Sequence, residues 1–171
     1  MSLLLLIYAD LPRIHIAFGF FFEGIGGVLG LHHGADINAL QTGIPSGALD
    51  DVLFPNNPIA NAPRIINNLK VIFPIRPNAF LIGPMFRLTW GTPAIGDIKL
   101  GLIITIDNAL GGDEPLELTS ILLLGQLRIG LPEANKDEVA RIICDFFGYL
   151  DFVNKRFGFY ARLRDSRLAG G

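Results

Sequence analysis

The chain has 171 residues, half of them hydrophobic, with 18% charged, a mean hydropathy of +0.45 and a net charge of −2. That length fits one domain, with room for a subdomain and a sizeable core. The weak acidity leaves no basic excess for a nucleic-acid backbone, and the lone Cys144 excludes an internal disulfide framework and any multi-cysteine zinc site within the chain.

Met1–Tyr8 is apolar but lacks a basic lead-in and stops at Asp10, so it reads as a strand, or the end of one, rather than an export signal. Ile14–Leu31 comes nearest to a membrane-spanning helix, which needs about 20 apolar residues. His15, Glu23 and several glycines interrupt it, and the alternation of Ile14, Ile16, Phe18, Phe20 and Phe22 reads as one strand. Gly24, Gly26, Gly27 and Gly30 follow. A dinucleotide fingerprint would need glycine where Leu29 stands, and no Lys-Ser/Thr pair follows for a phosphate loop. The run reads instead as a glycine-rich bend where backbones pack closely.

Residues 34–74 read as a helical insert within a single 1–171 unit, a β-rich domain or part of one. Asp36 suits the N-cap of a helix carrying Ile37 and Leu40 and stopped by Gly43. Ser46 would cap a second short turn with Leu49, Val52 and Leu53, ended by Pro55. The third helix is the clearest. Asn57 or Asn61 caps it, Pro58 or Pro63 fits its first turn, and Ala62, Ile65, Ile66, Leu69, Ile72 and Phe73 make one apolar stripe before Pro74.

From residue 78 to 168 the period is two. Residues 79–90 form a strand, with Gly83-Pro84 as a bulge or edge feature. Four more follow: Ile98, Leu100, Leu102, Ile104 and Ile106; Ile121, Leu123, Leu127, Ile129 and Leu131; Ile142, Cys144, Phe146, Leu150 and Phe152; Phe157, Phe159, Ala161 and Leu163. Turns at Gly91–Pro93, Asp107–Asp113, Pro132–Asp137 and Asn154-Lys155 separate them, and such short connections require antiparallel pairing. The expected class is therefore α+β: a dominant antiparallel meander of about five to seven strands, with the short helical insert packing on one face. Each strand has one apolar and one mixed face, and the apolar face must be buried. A few short helices do not cover so wide a sheet. Either the sheet curls on itself, or further chain covers it, or the face binds something apolar. In the last case the ligand face is Ile98, Leu100, Leu102, Ile104, Leu123, Leu127, Ile129, Phe146, Leu150, Phe157 and Phe159.

Several strings are more specific than any period. They are Gly19-Phe20, the run Gly24–Leu31, Gly47–Pro55, Asn61–Ile66, Gly83-Pro84-Met85, Trp90–Pro93 and Asp165–Leu168. In this order, over nearly the whole chain, they resemble a family of very large, uncharacterised bacterial proteins that share a β-rich domain of unknown function. The resemblance implies that the chain is an N-terminal part of that domain, with further strand repeats after Asp165–Leu168. It brings no catalytic residue. His32-His33 departs from the polar or basic residues expected after Gly30-Leu31.

Candidate sites each have a plainer reading. His32, His33 and Asp36 invite a metal site, but adjacent strand residues point to opposite faces and His15 lies on another strand; solvent-exposed loop histidines are expected. Asp50 and Asp51 do not face each other on a helix and read as a solvated helix end. Ser46 and Ser166 lack a histidine partner, and Cys144 reads as a buried structural thiol. Arg156, Arg162, Arg164 and Arg167, with Tyr160, form a basic strip diluted by Asp151 and Asp165, expected as a solvated face with weak ion pairs.

No cofactor, metal or nucleic acid is expected. The reading is a non-catalytic structural or interaction module of a larger β-rich protein, whose partners are the rest of a longer chain or other β-rich segments. The runner-up is a groove for a hydrophobic ligand or lipid. A membrane β-barrel piece fits the strand lengths but not the helical insert, and an enzyme would need convergent polar residues that the sequence does not display. Nothing in the residues assigns a compartment.

Overall fold

The computed structural model describes residues 1–108, 115–132 and 138–168. Within them, seven antiparallel strands form one sheet in strictly sequential order: β1 (Leu3–Ala17), β2 (Phe20–His33), β3 (Ile75–Trp90), β4 (Gly96–Asp107), β5 (Glu117–Pro132), β6 (Glu138–Asp151) and β7 (Arg156–Leu168). Between β2 and β3 stand α1 (Ile37–Gly43), a 3-10 turn (Ile44–Ser46), α2 (Leu49–Val52) and α3 (Ala62–Ile72). No helix among the described residues is long and apolar enough to cross a membrane. The expected turns at Gly111–Asp113 and Glu133–Asp137 lie outside the described residues.

Three local expectations are corrected. First, Ile14–Phe22 is not one strand: the chain reverses at Phe18-Gly19, with φ of 52° and 78°, and Ile14 pairs with Phe22. Gly19 adopts the left-handed conformation at no steric cost. Cross-strand partners 14 and 22 share a face, so a tight hairpin leaves a period-two pattern unbroken. Second, the glycine run is no bend but the body of β2. The expected close approach does hold: a Cβ on Gly26 would lie 2.8 Å from the Ile7 carbonyl oxygen across the β1 pairing. Third, Gly83-Pro84 is neither bulge nor edge. It lies in central β3, opposite Val28 and Gly27, with no register shift. The Ile103 and Val28 side chains occupy the space above Gly83, 2.3 and 2.7 Å from where its Cβ would be.

The insert closes at its base, where the Gly34 N–H donates to the Pro74 carbonyl at 3.1 Å and the Asp36 N–H to that of Ile72 at 2.8 Å. Asp36 caps α1 as expected, its Oδ1 accepting from the Ala39 N–H at 2.9 Å. Ser46 does not cap α2: its hydroxyl donates to the Gly43 carbonyl. Asn61 occupies the α3 cap position, but its side-chain amide donates to the carbonyls of Asn56 and Asn57 instead. Of the predicted α3 stripe, Ile65, Leu69, Ile72 and Phe73 are buried, whereas Ile66 is half exposed.

The helical layer packs on one face of the sheet, and that face is the mixed one. Leu40, Leu49, Val52, Leu53, Ile72 and Phe73 pack with Val28, Leu81, Met85, Ile103, Leu122, Leu124 and Phe147 in one core. These strand positions alternate with the residues of the predicted ligand face, and therefore stand on the opposite side of the sheet. The mixed face attracts the helices because its centre is apolar and contoured. Gly101, opposite Met85, leaves a hollow that Leu53 fills; a Cβ there would come within 2.9 Å of Leu53 Cδ2. Each large side chain buried here contributes roughly 1.5–3 kcal/mol.

Candidate functional site

Two surfaces remain once the helices are in place. The first is the whole far side of the sheet. Register and alternation put Ile98, Leu100, Leu102, Ile104, Leu123, Leu127, Ile129, Phe146, Leu150, Phe157 and Phe159 on it together. Ile98 pairs with Leu127, Leu102 with Leu123, and Leu150 with Phe157. The Phe146 and Phe159 rings lie 6.2 Å apart, and the Phe146 ring lies over Gly125, its cross-strand partner. The band extends further than the sequence reading placed it: Phe80, Ile82, Phe86 and Leu88 of β3, Ile25, Leu29 and Leu31 of β2, and Leu3, Leu5 and Ile7 of β1 continue it. No charged side chain stands on these positions. Leu123 is 39% exposed, Leu150 45%, Phe159 64% and Phe157 83%. Seven strands about 4.8 Å apart and some ten residues long, at about 3.3 Å each, give a face of roughly 900 Å². The largest apolar patch on an ordinary monomer is about 300–600 Å².

The second surface is a polar cleft at the edge of the helical layer, a cavity of about 680 Å³. Its floor is built from two adjacent cross-strand rows of the mixed face. One row gives it Arg87, Lys99 and Gln126; the next gives it Thr89, Asp97, Arg128 and Ile143, with Arg164 opposite Ile143 on β7. Asp50, Asn56, Asn61 and Arg64 of the insert make one wall, and the Pro93–Gly96 turn makes the rim. At the other end of the helical layer a cleft of about 550 Å³ lies among Asp36, Arg76, Asp107, Asp151 and Arg156.

Asp50 and Asp51 are not a solvated helix end. Asp51 is buried and accepts from Arg64 at 2.8 Å and Asn68 at 2.6 Å. Asp50 receives both outer nitrogens of Arg164, at 2.8 and 3.0 Å, and Gln126 Nε2 at 2.7 Å. The same Gln126 nitrogen donates to Asp145 at 2.9 Å, and Arg164 Nε lies 3.2 Å from Asp145. Burial alone would raise the Asp50 carboxyl, but Arg164, Gln126 and Lys99 hold it below its ordinary value. Burial wins at Asp145, which is pushed up. Lys99 donates to the Phe54 carbonyl at 3.3 Å, and burial pushes its ammonium down.

The remaining candidates fall into structural places. His33 is buried with Nδ1 2.7 Å from the Phe73 carbonyl, and His32 Nδ1 accepts the Asn78 N–H at 3.0 Å. They end β2 and tie it to the start of β3 rather than hanging in a solvent loop. Among the described residues no group of three or more His, Cys, Asp or Glu is arranged to hold a metal ion. Cys144 is only half-buried, because it stands on the uncovered far face. The basic strip divides: Arg156 binds Asp151 at 3.1 Å, while Arg164 is drawn under α2. The side chains of Asp165, Ser166 and Arg167 lie outside the described residues. The sequence reading missed the Asp50–Gln126–Asp145–Arg164 cluster. Its one signal was that Lys99, Gln126, Asp145 and Arg164 all fall on the mixed positions of successive strands.

A protein-family model described as a family of unknown function matches residues 1–171. No curated protein and no solved structure matches the chain.

Proposed function

The chain therefore belongs to the family of unknown function DUF6603, and from its geometry we propose that it is a non-catalytic structural or interaction module, one β-layer of a larger β-rich assembly. The observation that carries this is the apolar face, seven strands wide and uncharged among the described residues, on the side the helices leave open. Its strands bear the sequence mark of burial on both faces. Consecutive apolar residues at Leu102–Ile104, Ile121–Leu124 and Phe146-Phe147 put large side chains on each side of the sheet, and strands covered on one side only alternate more cleanly. The β1 edge supports the same reading. β1 presents Leu3–Tyr8 with its outer backbone unpaired within the sheet, and an apolar edge of that kind takes up another strand. Under this reading the cover comes from β-rich segments of a longer chain, the chain here serving as an N-terminal part of that domain in a very large bacterial protein.

The test is to purify the 171-residue chain and measure hydrophobic-dye fluorescence, sedimentation and copurified lipid. Expected are strong dye binding and self-association, both suppressed when downstream sequence from the same reading frame is added. A monodisperse chain that binds no dye overturns the proposal. Stoichiometric lipid in native mass spectra would replace it with a lipid groove.

A further inference from the structure

Lys99 is a buried lysine on the floor of the polar cleft. It is 9% exposed, whereas Lys70 and Lys155 stand in solvent. A buried ammonium ordinarily sits beside a carboxylate. Among the described residues no carboxylate forms an ion pair with Lys99. The nearby acids are engaged elsewhere. Asp97 on the same strand accepts from Arg87 at 2.9 Å, Asp50 and Asp145 are bound by Arg164 and Gln126, and Asp51 is bound by Arg64. The hydrogen bond of Lys99 goes to the neutral Phe54 carbonyl at 3.3 Å, longer than an ordinary one. Directly across the strand pair stands the guanidinium-bearing Arg87, and like charges opposed on one face repel. Burial pushes the Lys99 ammonium down; Arg87 and Arg128 add to this, and Asp97 and Asp50 oppose it. Each of these features favours the uncharged amine. A desolvated lysine beside another cation is an activated nucleophile, and this one lines a cleft of about 680 Å³, a size that admits a small molecule.

We propose that Lys99 is the nucleophile of a covalent binding site for a small aldehyde, which it takes up from the cleft as an imine. Nζ attacks the carbonyl carbon, so a carbon–nitrogen bond forms. The carbon–oxygen bond then breaks, and both protons of the neutral amine leave with the oxygen as water. No oxidant or reductant is needed. The site stands on the mixed face, so it holds whatever covers the far face. The test incubates the 171-residue chain, dispersed in a non-ionic detergent, with limiting isotope-labelled propionaldehyde and cyanoborohydride, which reduces an imine to a stable secondary amine. Digestion and mass spectrometry then give the labelling rate at each lysine. Exposed lysines are almost wholly protonated at pH 7, so Lys99 should be labelled at least about tenfold faster than Lys70 and Lys155, and its rate should level off at a lower pH than theirs. Arg87→Gln removes the opposed charge and frees Asp97 to pair with Lys99. It should slow labelling at Lys99 several-fold and leave Lys70 and Lys155 unchanged. Should that variant fail to fold, the pH profile of the parent chain carries the test. Labelling at Lys99 no faster than at the two exposed lysines, or a rate that levels off at the same pH as theirs, overturns the proposal and leaves Lys99 as a prop for the Phe54 carbonyl.

Discussion

At the scale of single residues, Asp50 and Asp145 are two carboxylates on the same guanidinium with opposite environments. Arg164 and Gln126 stabilise the charge on Asp50, whose carboxyl is held down; burial disfavours the charge on Asp145, whose carboxyl is pushed up. The signs follow. A depressed carboxyl contributes stability above its unfolded value of 3.8, and that contribution is lost as pH falls through the lower folded value. A raised one favours the fold while protonated and loses that contribution as pH rises from 3.8 through the folded value. Asp50→Asn should therefore cost about 1–2 kcal/mol at pH 7, within the range for hydrogen bonds to charged groups after allowance for partial exposure. That cost should shrink toward zero below pH 3.8. Asp145→Asn keeps the Gln126 contact and loses the Arg164 ion pair, but it also removes the larger desolvation penalty, so it should cost less than Asp50→Asn at pH 7. Urea titrations at pH 7 and pH 3 measure both, and a larger loss for Asp145→Asn would reverse the assignment. Neither role was legible in the sequence, since Asp50 and Arg164 are 114 residues apart and meet only because α2 lands beside β7.

At the scale of elements, the strands were legible because period two is written into nearly every one, and α3 because its stripe repeats at three and four. The face that the insert chooses was not. Both faces of β4–β6 carry enough Leu, Ile and Phe to receive a helix. What decides is shape: the Gly101 hollow under Leu53, and the apolar centre of Met85, Ile103, Leu124 and Phe147. The hairpin at Phe18-Gly19 escaped for a different reason, because paired positions share a face and the pattern crosses the turn in phase. Phe73 is the side chain on which the insert closes. It is fully buried, its carbonyl meets His33, and its N–H donates to Leu69 at 2.8 Å. Phe73→Ala should cost about 3–5 kcal/mol, the range for a fully buried aromatic. Ile66→Ser, on the exposed side of α3, should stay within about 0.5 kcal/mol. Chemical denaturation of the two variants separates them, and equal losses would mean that the helix lies on the sheet by another face.

At the scale of the whole molecule, the two sides of the sheet ask for different things, and two adjacent residues tell them apart. Leu122 and Leu123 follow each other on β5. Leu122 is fully buried under the helices, opposite Ile103, whereas Leu123 is 39% exposed on the far face, opposite Leu102. A carboxylate at 122 would be sealed in the core without a partner, a cost of several kcal/mol that exceeds most of the stability of a domain this size. A carboxylate at 123 stays in water for as long as the far face is open. Leu122→Asp should thus abolish the cooperative unfolding transition. Leu123→Asp should leave the transition of the dispersed chain within about 1 kcal/mol, while lowering dye binding and self-association. In a longer chain that supplies the cover, Leu123→Asp becomes a buried charge in its turn, and its effect should grow to match that of Leu122→Asp. Comparing the pair in the 171-residue chain and in the extended one distinguishes a face awaiting a protein layer from a face that works exposed: convergence of the two variants in the extended chain supports the former, and a persistently mild Leu123→Asp rules it out.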